Sequence, residues 1–278
     1  MNNQWQQMYQ APSASAGSGE PAYPGGGGWT GTPSIMDAYR FVTSQRDWVM
    51  NGVLAVVFAI IPLVGPISLE AWLAEFGQRL VRRHPQPLPK LDFNDFTHYM
   101  SRGFSIFVAN LLLGLIVAIP MVMLYVASVA AIFVGGAALK GPGAAIMMGL
   151  VVLIAPFVIM PLTLFVQFAR WRVELTEQIG DAFQVGKTWQ FMRAMWWPAL
   201  KGLLVFALCT MVVMCIPLIN YFVIIGVGNL VLTHFRWQLY EAYVAGGGEP
   251  IPVKGPVQIP SEAKLAAAAY YRQQPPPY

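Results

Sequence analysis

The feature that most constrains this chain is the length of its uncharged apolar runs. Phe104 to Ala138 carries no charged residue, and neither does Gly141 to Ala169. A bilayer core takes about 20 apolar residues of helix, so each run is long enough for one tilted crossing. In hydrocarbon only helices and closed barrels satisfy their backbone groups, and continuous apolarity without a two-residue period selects helices. Composition points the same way: 56% of the chain is hydrophobic and 11% charged, against roughly 25% charged in an ordinary soluble domain. The predicted class is therefore all-α integral membrane. A net charge of +4 is modest and does not point to nucleic acid.

The ends read differently. Residues 1–33 contain no Lys or Arg and no apolar core, so they are expected to be a disordered tail rather than a secretory signal. Residues 245–278 open on Gly246-Gly247-Gly248 and end in Pro, Gln and Tyr, and are expected to be mostly disordered, with a short helix admissible over Ser261–Arg272. The terminal Pro275-Pro276-Pro277-Tyr278 matches a WW-domain ligand, a match that arises easily in such a tail. Between the tails, 34–244 is predicted to be one multi-pass helical domain.

Within that domain a unit recurs. Ile35-Met36-Asp37-Ala38-Tyr39 parallels Ile179-Gly180-Asp181-Ala182-Phe183, and each is followed by tryptophan (Trp48; Trp196 and Trp197), glycine (Gly52; Gly202) and an apolar run. Those runs end in Ile61-Pro62-Leu63-Val64 and Ile216-Pro217-Leu218-Ile219, and a weaker copy opens at Phe93-Asn94-Asp95-Phe96. Repeats near 34–85, 93–175 and 179–244 follow. Ser34 ahead of Asp37 reads as a helix cap. Each unit is thus a short interfacial amphipathic helix followed by a hairpin of two spans. The expected spans are 48–64, 67–83, 104–138, 143–169, 198–218 and 221–240. Of the 17 Lys and Arg, only Lys140 falls in a loop opposite the rest. The positive-inside rule then puts both termini in the cytoplasm. The weakest span is 67–83, whose Ile67, Trp72, Leu73, Phe76 and Leu80 form one face; it also fits a re-entrant or interfacial helix.

Trp48–Gly52, the Ile61-Pro62-Leu63-Val64-Gly65-Pro66 turn, Leu88-Pro89 before Asp92-Phe93, Gly103 and Gly180-Asp181-Ala182-Phe183 together resemble the prokaryotic multi-pass membrane proteins of domain-of-unknown-function family 4013. The resemblance covers roughly residues 34–245. It implies a helical membrane domain and supplies no activity, cofactor or catalytic residue.

Ionisable groups inside a membrane are costly and mark candidate sites. Glu70, Asn110, Asn229 and His234 form the candidate polar site: convergence of Glu70 with Asn110 and Asn229 would hold a cation, and Glu70 with His234 would relay protons. The bland alternatives are an outer-end glutamate in headgroup water, interhelical hydrogen bonds and an inner-end histidine. Ala127, Ala131 and Gly135 recur every fourth residue, a small-residue face for helix packing. Cys209 and Cys215 stand about 9 Å apart along a helix, too far to bridge. Metalloprotease, nucleophile-elbow and phosphate-loop signatures are absent, so no enzyme, metal or cofactor is expected. The reading favoured by the sequence is a non-enzymatic membrane organiser or complex subunit, with lipid, its own copies or other membrane proteins as partners. A small-solute or ion transporter is the alternative, resting on the repeats, the prolines and Glu70.

Overall fold

The computed structural model describes residues 31–138, 143–214, 220–257 and 259–264, and every regular element among them is helical. Seven α-helices follow in order: α1 Ile35–Ser44, α2 Trp48–Ile60, α3 Val64–Val81, α4 Phe96–Ala138, α5 Gly143–Thr176, α6 Val185–Val213 and α7 Asn229–Ala245. A π-helical stretch, Phe222–Gly228, feeds directly into α7. Lys140, Cys215, the Ile216-Pro217-Leu218-Ile219 turn and the Pro275–Tyr278 end lie outside the described residues, as do residues 1–30.

The Ser34 cap is present: its hydroxyl accepts from the Asp37 N–H at 3.3 Å. Its own N–H donates to Gln238 at 2.7 Å, tying α1 to α7. The recurrence of an interfacial helix is corrected. The first unit has a short separate helix, α1; the equivalents are three- and five-residue 3-10 turns, Phe93–Asp95 and Ile179–Phe183. Asp92 caps the first of these through the Asn94 N–H, and the chain then passes without a break into α4. Gln184, at ψ 69°, separates the second turn from α6, which itself runs continuously through Pro198. On each, the polar stretch ahead of the apolar run is part of the same long helix, so no separate short helix forms there.

Helix α4 is also continuous through Pro120, so the long run does not split there. It begins earlier than expected and α5 ends later, at Thr176. The added turns lie in a packed body. On α4 the buried apolar positions Tyr99, Ile106, Ala109 and Leu113 follow a helical period, and none of the side chains described from 114 to 130 is buried. On α6 none of the described residues after Gly202 is buried. Beyond these points the apolar surface is open: Met123 is 67% exposed, Tyr125 70% and Val212 73%. Two helical stretches, Phe93–Ala130 and Val185–Val213, are long and apolar enough to cross a membrane, and only 17% and 11% of their apolar windows is buried. A soluble core helix would be covered.

At the centre of the body lies α3. Its Ile67, Trp72, Leu73, Phe76 and Leu80 are buried, as the apolar face requires, but Ser68, Glu75, Gln78 and Arg79 are buried too. Gly103 lets α4 approach it: a β-carbon there would stand 1.9 Å from the Ile67 carbonyl oxygen. Gly52 and Gly226 bring α2 onto the π-helical stretch in the same way, with a Gly226 β-carbon 2.6 Å from the Gly52 oxygen.

The C-terminal segment departs from its expected disorder. After Gly246 the chain returns across the body, with Ile251 and Ile259 buried. The Lys254 N–H donates to the Leu175 carbonyl at 2.9 Å, and a helical turn at 260–264 seats Ser261 on Asp95. Two isolated isoleucines and the polar anchors Lys254, Ser261 and Glu262 were hidden in a Pro/Gly-rich composition. Of the admissible helix over Ser261–Arg272, the residues after 264 lie outside the described ones.

Candidate functional site

Glu70, on the second turn of α3, is where the polar groups converge. Its carboxylate accepts from Asn110 Nδ2 at 2.9 Å and from Arg170 Nη2 at 2.7 Å. Arg170 also donates through Nε to Glu174 one turn on, at 2.7 Å, and Glu174 receives Arg236 Nη1 at 2.7 Å. Arg236 in turn donates to Thr233 and lies 5.7 Å over the Trp171 ring. Two carboxylates thus face two guanidinium groups. Glu174 is fully buried, a position a carboxylate tolerates only when paired.

A second cluster sits one to two turns further along α3. Glu75 accepts from Arg79 and from Arg102 of α4, both at 2.9 Å. Arg102 also donates to Glu177, just past the end of α5, at 3.0 Å through Nε. Gln78 joins the two clusters: its amide donates to the Glu174 carbonyl at 2.8 Å and to Glu177 at 3.0 Å, and its oxygen accepts from Arg82 and Arg102. The C-terminal segment closes the set, with Lys254 on Glu177 and Glu262 on Arg79. Burial on its own would raise the Glu177 carboxyl, but the hydrogen bond and charge of Arg102, then Lys254 and Gln78, hold it below the ordinary carboxylate range.

Of the candidate polar set, the structure brings Glu70 and Asn110 together and leaves the other two apart. Asn229 donates to the Ile225 carbonyl at 3.2 Å, within its own helical stretch at the π-to-α junction. His234 is buried, bonded to Gln238 at 3.2 Å and stacked on Phe41 at 4.1 Å. Its headgroup surroundings give way to a packed aromatic niche, and a proton relay from Glu70 to His234 is not assembled. Glu70 touches Arg170 in the last third of α5, so the two share one level of the bundle rather than standing at opposite ends of their expected spans. Ala127 is exposed on α4, and the surroundings of Ala131 and Gly135 lie outside the described residues.

Sequence reasoning missed Glu75, Arg79, Arg102, Arg170, Glu174, Glu177 and Arg236 as a group, reading the arginines as loop cations. A signal was present: Glu75/Arg79 and Arg170/Glu174 are spaced to pair on one helix face. Among the described residues no group of His, Cys, Asp and Glu could hold a metal ion. A cavity of about 20 Å³ lies between α5, α6 and α7, lined by Gln167, Phe168, Leu203, Phe235 and Arg236 among others; that is room for a water molecule. The arrangement neutralises charge and fixes helices against one another, with Glu70 satisfied by its neighbours. No curated protein and no solved structure matches the chain. A family model does match, over residues 53–232, with the description "Protein of unknown function (DUF4013)"; the chain belongs to that family, as its turn and glycine motifs had led us to expect.

Proposed function

We propose that the protein is a non-enzymatic organiser or complex subunit of a prokaryotic inner membrane, with both termini on the cytoplasmic side. What supports this reading is the pairing of the buried charges: Glu70 is taken up by Arg170 and Asn110, and Glu174 by Arg170 and Arg236. A solute pathway needs polar groups turned toward a water-filled space, and the cavity beside these groups is water-sized. The open apolar lengths of α4 and α6 anchor the body in lipid. Its partners are the bilayer, further copies of the chain or other membrane proteins.

Single cysteines at Glu70, Asn110, Gln167, Asn229 and His234, with Cys209 and Cys215 changed to serine, test this in sealed vesicles. The organiser predicts no reaction of these five with a membrane-impermeant maleimide from either side, while cysteines placed at Arg40 and Lys187 react. Labelling at Glu70 and Asn110, together with solute flux in proteoliposomes, overturns it in favour of a transporter.

A further inference from the structure

Along α6, Trp189, Arg193, Trp197 and Lys201 recur every fourth residue. That step keeps neighbouring side chains on one helical ridge. The same ridge continues through Val205, Leu208 and Val212. All of these side chains are exposed, Trp189 by 53% and Trp197 by 65%, whereas Phe191, Met192 and Ala199 turn into the body and are buried. The ridge is thus ordered along its length: indoles and cations alternate over the first part, and aliphatic side chains follow.

Arg193 and Lys201 have no counter-charge among the described residues. No Asp or Glu occurs between Asp181 and Glu241. On the helices packed against α6, the carboxylates are already taken: Asp37 by Arg40, Glu174 by Arg170 and Arg236, and Glu241 by Arg83. Beyond α7, Glu249 holds Lys187. The arginines inside the body are neutralised by carboxylates from other helices. These two cations face outward beside the open apolar surface.

The order of the ridge matches a phospholipid standing against it. Lys201 is the last charged residue before a stretch without Asp, Glu, Lys or Arg that runs to Phe235. From Lys201 to Val212 the helix rises about 16 Å, close to the acyl depth of one leaflet, about 15 Å. Acyl chains then lie along Val205, Leu208 and Val212, with the phosphate beside Lys201. Helical side chains lean toward the N-terminus, which carries the Lys201 ammonium out of the chains toward Trp197, and indole rings settle at this headgroup level. About 12 Å further out, Arg193 meets the headgroup from its water side with a planar fork suited to phosphate oxygens. A zwitterionic headgroup would bring an ammonium of its own against both cations. An anionic one brings none.

We infer that the Trp189–Lys201 ridge of α6 is a binding site for a phospholipid of net negative charge, of the phosphatidylglycerol class, in the leaflet on the N-terminal side of that helix. The inference rests on the membrane placement proposed above and not on the choice of organiser over transporter. It names the lipid partner and the residues that select it.

A bimane on Leu208→Cys, with Cys209 and Cys215 changed to serine, reads the site in full-length protein reconstituted in phosphatidylcholine. Brominated-chain phosphatidylglycerol and brominated-chain phosphatidylcholine are titrated in separately at physiological ionic strength. Quenching should favour phosphatidylglycerol by about fivefold for each cation engaged. Arg193→Gln or Lys201→Gln alone should reduce the preference, and the two together should abolish it. Leu111→Cys on α4 is the control. It is as exposed as Leu208, 57% against 56%, and the nearest preceding cation on its helix, Arg102, is held by Glu75 and Glu177; no preference is expected there. Equal quenching by the two lipids at Leu208, a preference that survives the double substitution, or the same preference at Leu111 overturns the inference while leaving the membrane placement intact. No quenching by either lipid at Leu208 overturns the placement and the inference with it.

Discussion

Glu174 is the residue whose loss should be felt most. Its side chain is fully buried and one of its oxygens accepts from both Arg170 and Arg236 at 2.7 Å. Glu174→Ala leaves those two guanidinium groups facing Glu70 as the remaining carboxylate of the cluster. Breaking a buried pair by removing one partner costs about 3–5 kcal/mol, because a charge stays buried without compensation. At about 2–4 °C per kcal/mol for a domain of this size, the midpoint of thermal unfolding should fall by roughly 6–20 °C. The double variant Glu174→Leu with Arg236→Met removes one charge of each sign and leaves Glu70 with Arg170. Replacing a whole buried pair by apolar groups is about neutral, so most of the loss should return. Unfolding of the three proteins in detergent or nanodiscs, followed by tryptophan fluorescence, compares the losses. A single variant within about 1 kcal/mol of the parent, or a double variant no better than Glu174→Ala, refutes the idea that charge balance holds this cluster.

Gly103→Ala should cost about 1–3 kcal/mol, since the new methyl would meet the Ile67 carbonyl at 1.9 Å and backbone cannot step aside as a side chain can; an unchanged unfolding midpoint would show that α3 and α4 are not in close contact. Ser261→Ala removes the hydroxyl donor to the fully buried Asp95 and leaves the Ser261 N–H. A loss of about 1–3 kcal/mol is expected, with faster proteolysis between 246 and 264; equal cleavage rates would count against a docked C-terminal segment. Acid should destabilise the fold in two stages. Burial and then the Arg79 charge hold His84 below its ordinary value, so its contribution is complete above about pH 6.5 and is lost as pH falls through the lowered value. Glu177 is likewise lowered, so its contribution fades below about pH 4.3. A midpoint that rises on acidification from pH 7, or a His84→Gln variant with the parent's profile between pH 7 and 5, would contradict this.

The helical class and several boundaries were legible because they depend on local signals. The Ile61-Pro62-Leu63 turn falls where the proline places it, with Leu63 at φ 61°, and Ser34 caps the first helix. The glycines picked out at 52, 103 and 202 lie at close approaches between elements. What was not legible depends on partners distant in sequence. Arg102 and Glu177 are 75 residues apart, and Arg170 and Glu70 are 100 apart. Counted along the chain, each arginine looked like a loop cation, and only folding shows that it is neutralised. The same distance hid the C-terminal segment, whose anchors lie on α3, α5 and the turn before α4. Composition predicts whether a segment can fold alone, not whether it fits another surface.

That blind spot has a physical source which also bears on how the helices find their register. Between helices in lipid there is no hydrophobic drive, because acyl chains are as apolar as leucine. Apolar faces therefore do not choose which helix they meet, or at what height. Ion pairs do, since an arginine displaced by one turn loses its carboxylate at a cost of several kcal/mol. The linked contacts of Glu70, Arg170, Glu174 and Arg236 occur at defined levels on α3, α5 and α7 and are suited to set that register. Replacing all four by Met or Leu should then leave helicity unchanged, because no apolar contact is lost. Ala74 and Val173, buried in one cluster shared by α3, α4 and α5, would report the register as a cysteine pair. In the parent sequence the disulfide should form in high yield, and in the quadruple variant it should be shared with pairs shifted by a turn, such as Ala74→Cys with Ala169→Cys. An identical cross-linking pattern in both proteins would mean that packing alone fixes the register and that the buried charges serve some other end.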